Sequence, residues 1–215
     1  MKSFVVFGCG RFGSTIATTL TGLGNEVLAI DNNFENAQAI SDQVTTAIQC
    51  DVLDENATKD LGLKNFDTAI IAIGSNLEAA IMATIISKEA GIPYIIAKAK
   101  TERQGGILEK IGADKIIYPE RDMAYRVAHN MTSSKILDYI QLSPGFSIVE
   151  LKLLPEWENK TIEELKIRNK YEITILGIQR NNDIQIAPKP DTKLVSEDVL
   201  IILGREEAIE KVEKI

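Results

Sequence analysis

Across the first 120 residues, short apolar runs recur with helical stretches between them. The runs fall at 4–7, 27–30, 46–48, 68–73, 94–97 and 115–118. Most are nearly continuous in Val, Ile and Ala, the pattern of parallel strands covered on both faces. Ser75-Asn-Leu-Glu78 reads as a capping box opening a helix over 77–90, and Gly91 and Gly112 sit where helices stop. A last helix is read over 120–132. Six strand–helix units of this kind predict an α/β, doubly wound, parallel-sheet lobe of Rossmann type.

After Ser143-Pro144-Gly145 the pattern changes. Residues 147–153 alternate like a half-exposed strand, and Thr161-Ile-Glu-Glu164 caps a short helix. Runs at 173–179 and 184–186 flank the turn Asn181-Asn-Asp183, and a run at 199–203 leads to a charged helix over 206–214. This order predicts a small α+β C-lobe, too small for a deep cleft of its own. The expected domains are 1–133 and 134–215.

Chemistry enters at the first strand, which runs straight into Gly8-Cys-Gly10-Arg-Phe-Gly13, with Asp31 closing the next apolar run. Strand, G-x-G-x-x-G, helix and a following acid together form the dinucleotide-binding fingerprint. Gly8 serves the tight turn, Gly10 the approach of a phosphate, and Gly13, after Phe12, the close packing of helix on strand. The helix start offers free N–H donors and positive partial charge. Asp31, followed by Asn32, would accept from both hydroxyls of an adenosine ribose and repel a 2′-phosphate. Arg11 stands at the loop's mouth, as a fork for phosphate oxygens or as a solvated side chain.

Ligands of open α/β sheets bind at the carboxyl ends of the strands. Asp51 and Val52 follow the third strand, and Ile73, Gly74 and Ser75 end the fourth, so they are expected around adenine and ribose. Asp51 has a second reading as the N-cap of the next helix. Lys98 closes the fifth strand and joins the expected cofactor set, as does Glu120, which opens the last helix after Pro119 and suits its N-terminal dipole.

The chain has 215 residues, 45% of them hydrophobic, and a net charge of −7, which argues against nucleic acid as a partner. No apolar run approaches the roughly 20 residues that span a bilayer. The chain enters a strand at once, without a signal peptide ahead, and Cys9 and Cys50 make no disulfide framework. These features point to a cytoplasmic protein. The one histidine, His129, lacks a nucleophile motif or a second histidine beside it and reads as a surface or packing residue. Trp157 reads as a cover over the small lobe. Leu77, Ile81, Thr84 and Ile85 make an apolar stripe, widened by Ala80, Ala83 and Ile86, that reads as an oligomer contact or a fully buried helix.

The glycine loop, Asn65-Phe-Asp-Thr-Ala-Ile-Ile-Ala-Ile-Gly74, Ile111-Gly-Ala-Asp114 and Pro119-Glu-Arg-Asp-Met-Ala-Tyr-Arg-Val-Ala-His129 resemble the RCK proteins, which regulate conductance of potassium. The likeness is greatest to the Ktr-type gating subunits of bacterial potassium uptake systems, relatives of the Trk regulators, and it covers both lobes. The resemblance implies homodimers building a homo-octameric ring that docks, from the cytoplasmic side, on a membrane potassium translocator. It implies ATP and ADP switching in the N-lobe cleft, with NAD open as an alternative. Glu120 would face its dimer mate and help to hold Mg2+ or another cation beside the phosphates. It also implies a cyclic di-AMP site at the C-lobe dimer interface. Ile167, Ile175, Ala187 and Pro188 could floor such a cleft, with Arg168 and Asn169 as donors; the alternative is that the isoleucines form the lobe's core and dimer seam. A gating role needs no catalytic residue. The competing readings are an NAD-dependent oxidoreductase, for which no acid–base group is in place, and a nucleotide-responsive regulator of another partner.

Overall fold

The computed structural model describes residues 1–59, 61–143, 145–181 and 183–215. They form two compact units, Met1–Arg121 and Asp122–Ile215.

The first unit holds β1 (Ser3–Phe7), α1 (Arg11–Gly22), β2 (Glu26–Asp31), α2 (Phe34–Ile40), β3 (Thr46–Gln49), α3 (Glu55–Lys59), β4 (Thr68–Ile71), α4 (Leu77–Glu89), β5 (Tyr94–Lys98), α5 (Glu102–Lys110) and β6 (Lys115–Ile117). α6 (Pro119–Thr132) begins in this unit and continues into the second. The strands pair in parallel in the order β3-β2-β1-β4-β5-β6, the doubly wound arrangement. Successive residues of a strand face opposite sides. Val5 and Phe7 accordingly join one apolar cluster with Ile71, Ile95 and Leu108, while Val6 joins another with Ala17, Val27 and Ile70. Both clusters are made of buried apolar side chains, which is why these strands show little polar alternation.

Two details of the first unit depart from expectation. β4 ends at Ile71, so residues 72–76 are free to line a strand end instead of extending the ladder. No capping box forms at Ser75; Asn76 is the N-cap of α4, its side chain accepting from the Ala79 N–H. The side of α4 packed on the sheet is the small one, with Ala79, Ala80, Ala83, Thr84 and Ser87 buried. Thr84 and Ser87 lie there without penalty because their hydroxyls donate to Ala80 O and Ala83 O. Leu77 is exposed, and Ile81 and Ile85 are half-buried, in this protomer.

The second unit holds β7 (Ile136–Ser143), β8 (Phe146–Lys152), α7 (Ile162–Leu165), α8 (Ile167–Tyr171), β9 (Ile173–Arg180), β10 (Asp183–Ile186), β11 (Val199–Arg205) and α9 (Glu206–Glu213). Its antiparallel sheet runs β10-β9-β11-β8-β7. The turns read at 143–145 and 181–183 include Pro144 and Asn182, which lie outside the described residues. β7 has no counterpart among the expected strands. Its register against β8 shifts between Ile136 and Asp138 and again between Gln141 and Ser143, which destroys the two-residue period in its sequence.

The core of this unit gathers Leu154, Trp157, Leu194, Leu200 and Ile202. Trp157 is therefore a core residue, 1% exposed, and not the cover expected of it. The capping box at Thr161 and Glu164 forms as read. His129 stacks on Tyr139 with ring centroids 4.3 Å apart.

Asp138 anchors β7 to α6: it accepts from Arg126 Nε at 2.8 Å and from Arg126 Nη2, Asn130 and the Tyr139 N–H. Arg126 first, then Asn130 and the Tyr139 N–H, hold this carboxyl well below the usual carboxylate range. A depressed carboxyl pKa contributes stability above the unfolded value, about 3.9, which is lost as pH falls toward the folded value. Asp138→Asn is thus expected to lower the melting temperature at neutral pH. Thermal melts should show that difference narrowing below about pH 4. A difference independent of pH would disprove the ion pair's role.

Candidate functional site

The turn from β1 into α1 takes its shape from two glycines. Gly8 sits at φ +94°, in the left-handed region. Gly13 lies so close beneath it that a Cβ there would stand 1.8 Å from the Gly8 carbonyl oxygen. Gly10 caps α1 with no side-chain hydrogen bond, and a Cβ on it would meet nothing within 4 Å. The space above the loop is open where a phosphate would approach, and the first-turn donors of α1 face it unclaimed by any capping side chain.

Asp31 ends β2 beside this turn and is 8% exposed. Its Oδ2 accepts from the Cys9 N–H at 2.6 Å and its Oδ1 from the Asn33 N–H at 2.8 Å. These bonds fix the carboxylate while leaving each oxygen further acceptor capacity. Burial first, and then the Asp31 charge, push the Cys9 thiol up to about 12, so Cys9 stays protonated and inert near neutral pH.

A cavity of about 190 Å³ opens at the carboxyl ends of these strands. Gly8, Gly10, Asp31 and Asn32 line it, as do Asp51, Val52, Ile73, Gly74 and Ser75. Asp51 is available there because capping falls elsewhere: its Oδ1 accepts from the Leu53 N–H, while Asp54 accepts from Asn56 and Ala57 at the start of α3. Asn36, Cys50 and Ala79 also line the cavity and were missed, and Asn76, next in the small loop after Ser75, lines it too. Asn36 lies in the first turn of α2, three residues after the N-cap Asn33.

Arg11, Phe12, Gly13, Lys98 and Glu120 do not line this cavity. Arg11 is an exposed first residue of α1, and Gly13 acts from beneath the loop. The other three gather beside Gly74. Lys98 Nζ donates to Glu120 Oε1 at 2.5 Å and lies 5.4 Å from the centre of the Phe12 ring; a Cβ on Gly74 would stand 3.6 Å from that nitrogen. The Lys98 side chain is 10% exposed and that of Glu120 68%. Lys98 lowers the Glu120 pKa, so the carboxylate is ionised and already holds a cation of the protein's own. Among the described residues no group of three or more His, Cys, Asp or Glu could hold a metal ion, and no helix is long and apolar enough to cross a membrane.

In the second unit, Arg168 and Asn169 are exposed on α8, and Ala187 follows β10 with its N–H bonded to Leu176 O, next to half-buried Ile175. Pro188 is half-buried beyond it. Ile167 corrects the expectation: it is 3% exposed and packed in the core, because the first residue of α8 turns inward under β9, and it cannot floor an open cleft in this protomer.

Residues 4–119 match the TrkA-N domain family and residues 147–215 the TrkA-C domain family. The chain is 40% identical over 212 residues to the Ktr system potassium uptake protein A of Bacillus subtilis, covering 99% of this chain and 96% of that one. It is 35% identical over 208 residues to the Ktr system potassium uptake protein A of Vibrio alginolyticus, covering 97% and 94%. Among solved structures, the GsuK RCK domain superposes with a TM-score of 0.68 at 19% identity, over 99% of this chain and 47% of that one, a likeness of fold. With both domains in the same order and identity sustained along nearly the whole length, the chain belongs to the RCK-domain family of Ktr- and Trk-type potassium uptake proteins.

Proposed function

We propose that this chain is a nucleotide-binding regulatory subunit of a potassium uptake system, acting without catalysis on a membrane translocator from the cytoplasmic side. The observation that carries the reading is the cleft at the strand ends: an open glycine loop at a helix start, with a fixed carboxylate one strand away. Its donor set fits a phosphate over Gly10 and a ribose at Asp31. The 40% identity to a potassium uptake protein supplies the transport context.

The ligand is an adenine nucleotide, with ATP and ADP exchanged to switch the shape of a homo-octameric ring of dimers. The glycine loop meets the inner phosphates of either, so discrimination needs a group outside it. Arg11, exposed at the loop's edge, takes the outer phosphate from its own subunit or across a dimer. Glu120 adds carboxylate oxygen to a cation beside the phosphates, which requires Lys98 to leave it. Cyclic di-AMP binds where Arg168, Asn169, Ile175, Ala187 and Pro188 of two copies meet across a two-fold axis.

Calorimetry with ATP, ADP and NAD tests the assignment. Arg11→Ala should weaken ATP more than ADP; equal weakening removes Arg11 as the discriminator, and preference for NAD favours the dinucleotide reading. Restoration of potassium uptake on co-expression with a translocator subunit tests the transport role separately.

A further inference from the structure

We propose that Lys98 is a phosphate-binding residue held in reserve by Glu120, and that the outer phosphates of an entering nucleotide draw its ammonium away from that carboxylate. The proposal rests on the nucleotide reading of the cleft and adds to it the residue that senses phosphate charge.

Lys98 closes β5 and is 8% exposed. A nearly buried ammonium needs an anion beside it. Its Nζ has one in Glu120 Oε1 at 2.5 Å, but the two partners are unequal. The Lys98 side chain is 10% exposed and is rooted in the sheet, whereas that of Glu120 is 68% exposed and can turn to water. When the pair opens, the carboxylate therefore loses little. The ammonium loses its counter-ion and takes up any other anion within reach.

The position of Lys98 suits such an exchange. Its Nζ lies 5.4 Å from the centre of the Phe12 ring, in the first turn of α1, where a phosphate is expected. It also stands 3.6 Å from where a Gly74 Cβ would be, and Gly74 lines the cavity together with Gly8 and Gly10. The wall between the ammonium and the cleft at this point is a residue without a side chain. Glu120 is not orphaned when Lys98 leaves. The Lys98 bond is the first cause of its lowered pKa, but its own backbone N–H at the start of α6 and the charge of Lys100 act on it too.

The exchange makes affinity depend on the length of the phosphate chain. A single inner phosphate meets the α1 donors and leaves the Lys98–Glu120 pair closed. A longer chain reaches Lys98 and displaces the carboxylate, which until then acts as an internal competitor.

Calorimetry on the full chain with ATP, AMP and inorganic tripolyphosphate tests this, in EDTA so that no divalent cation engages Glu120. Lys98→Met should weaken ATP by about tenfold or more, as expected for loss of a charge-assisted bond, and AMP by less. Glu120→Gln should tighten ATP by roughly three- to fivefold, the scale of a pair with one exposed partner. That gain should vanish in the Lys98→Met, Glu120→Gln double variant. A merely structural pair would instead lower the melting temperature of the ligand-free variants and leave the ratio of ATP to AMP affinity as in the parent. An equal gain with and without Lys98 would be a general effect of removing charge and would overturn the exchange, as would parental ATP affinity in Lys98→Met. If the parent takes tripolyphosphate but no nucleotide, the nucleotide reading fails and the same variants judge the exchange on tripolyphosphate. Binding of none of the three overturns both.

Discussion

Gly13→Ala should abolish nucleotide binding and loosen the whole first unit. Its Cβ would stand 1.8 Å from the Gly8 carbonyl oxygen and 3.0 Å from the Ala72 Cβ. The loop has no room to retreat, because Gly8 is already in the left-handed region and a Cβ there would meet the Ile73 backbone nitrogen at 3.1 Å. Either α1 lifts from β1 or the loop opens, and the phosphate donors scatter in both cases. Overpacking of this kind costs about 3 kcal/mol or more, a fall of roughly 10 °C in melting temperature for a unit of this size. Thermal melts with and without ADP check it: the variant should melt low and gain nothing from ADP. Gly10→Ala is the control, since its Cβ meets nothing within 4 Å. It should fold as the parent does and lose affinity only by obstructing the ligand. Parental ADP stabilisation in Gly13→Ala would refute the packing account.

The second large effect is expected at Asp198, 1% exposed at the edge of the small lobe's core. Its carboxylate accepts from Arg180 Nε at 2.6 Å, from Arg180 Nη2 at 2.9 Å and from the Val195 N–H at 2.9 Å. It thereby ties β9 to the segment leading into β11. Asp198→Ala removes the acceptor of all three bonds. Breaking a fully buried pair costs about 3–5 kcal/mol. Here the Arg180 side chain is 42% exposed and can turn to water, so the loss should be nearer the 1–3 kcal/mol, roughly, of an orphaned buried donor. Arg180→Ala should cost more than Asp198→Ala, because it leaves the carboxylate buried without its cation. Denaturant unfolding of the two variants gives the order directly, and the reverse order would contradict this burial argument. Breaking the exposed Glu210–Lys214 pair should change nothing measurable.

The six parallel strands were legible because a strand covered on both faces must be apolar at successive positions, and few other elements look like that. β7 was illegible for the converse reason. Two register shifts break its period, and Leu137, Ile140 and Leu142 remain exposed, so its apolar residues mark no single face. Within the site, the residues on strand ends and in the glycine loop could be read from position alone. Asn36 could not, because a helix residue reaches a cleft only through the helix's rotation about its axis, which composition does not encode. The same ignorance of rotation left Ile167 open between a cleft floor and the core, where it lies. On α4, close packing on the strands selects Ala79, Ala80 and Ala83.

The strand order of the small lobe bears on synthesis. β7 with β8, and β9 with β10, are local hairpins, and β11 lies between them, antiparallel to both β8 and β9. The strand made last is therefore the keystone. On the ribosome the first unit can close around its own complete sheet, while the two hairpins wait with their inner edges bare until Val199–Arg205 emerges. During that interval the open edges are templates for wrong partners, including the hairpins of a neighbouring nascent chain. The pace of translation through the last strand would then govern how much of the small lobe assembles correctly.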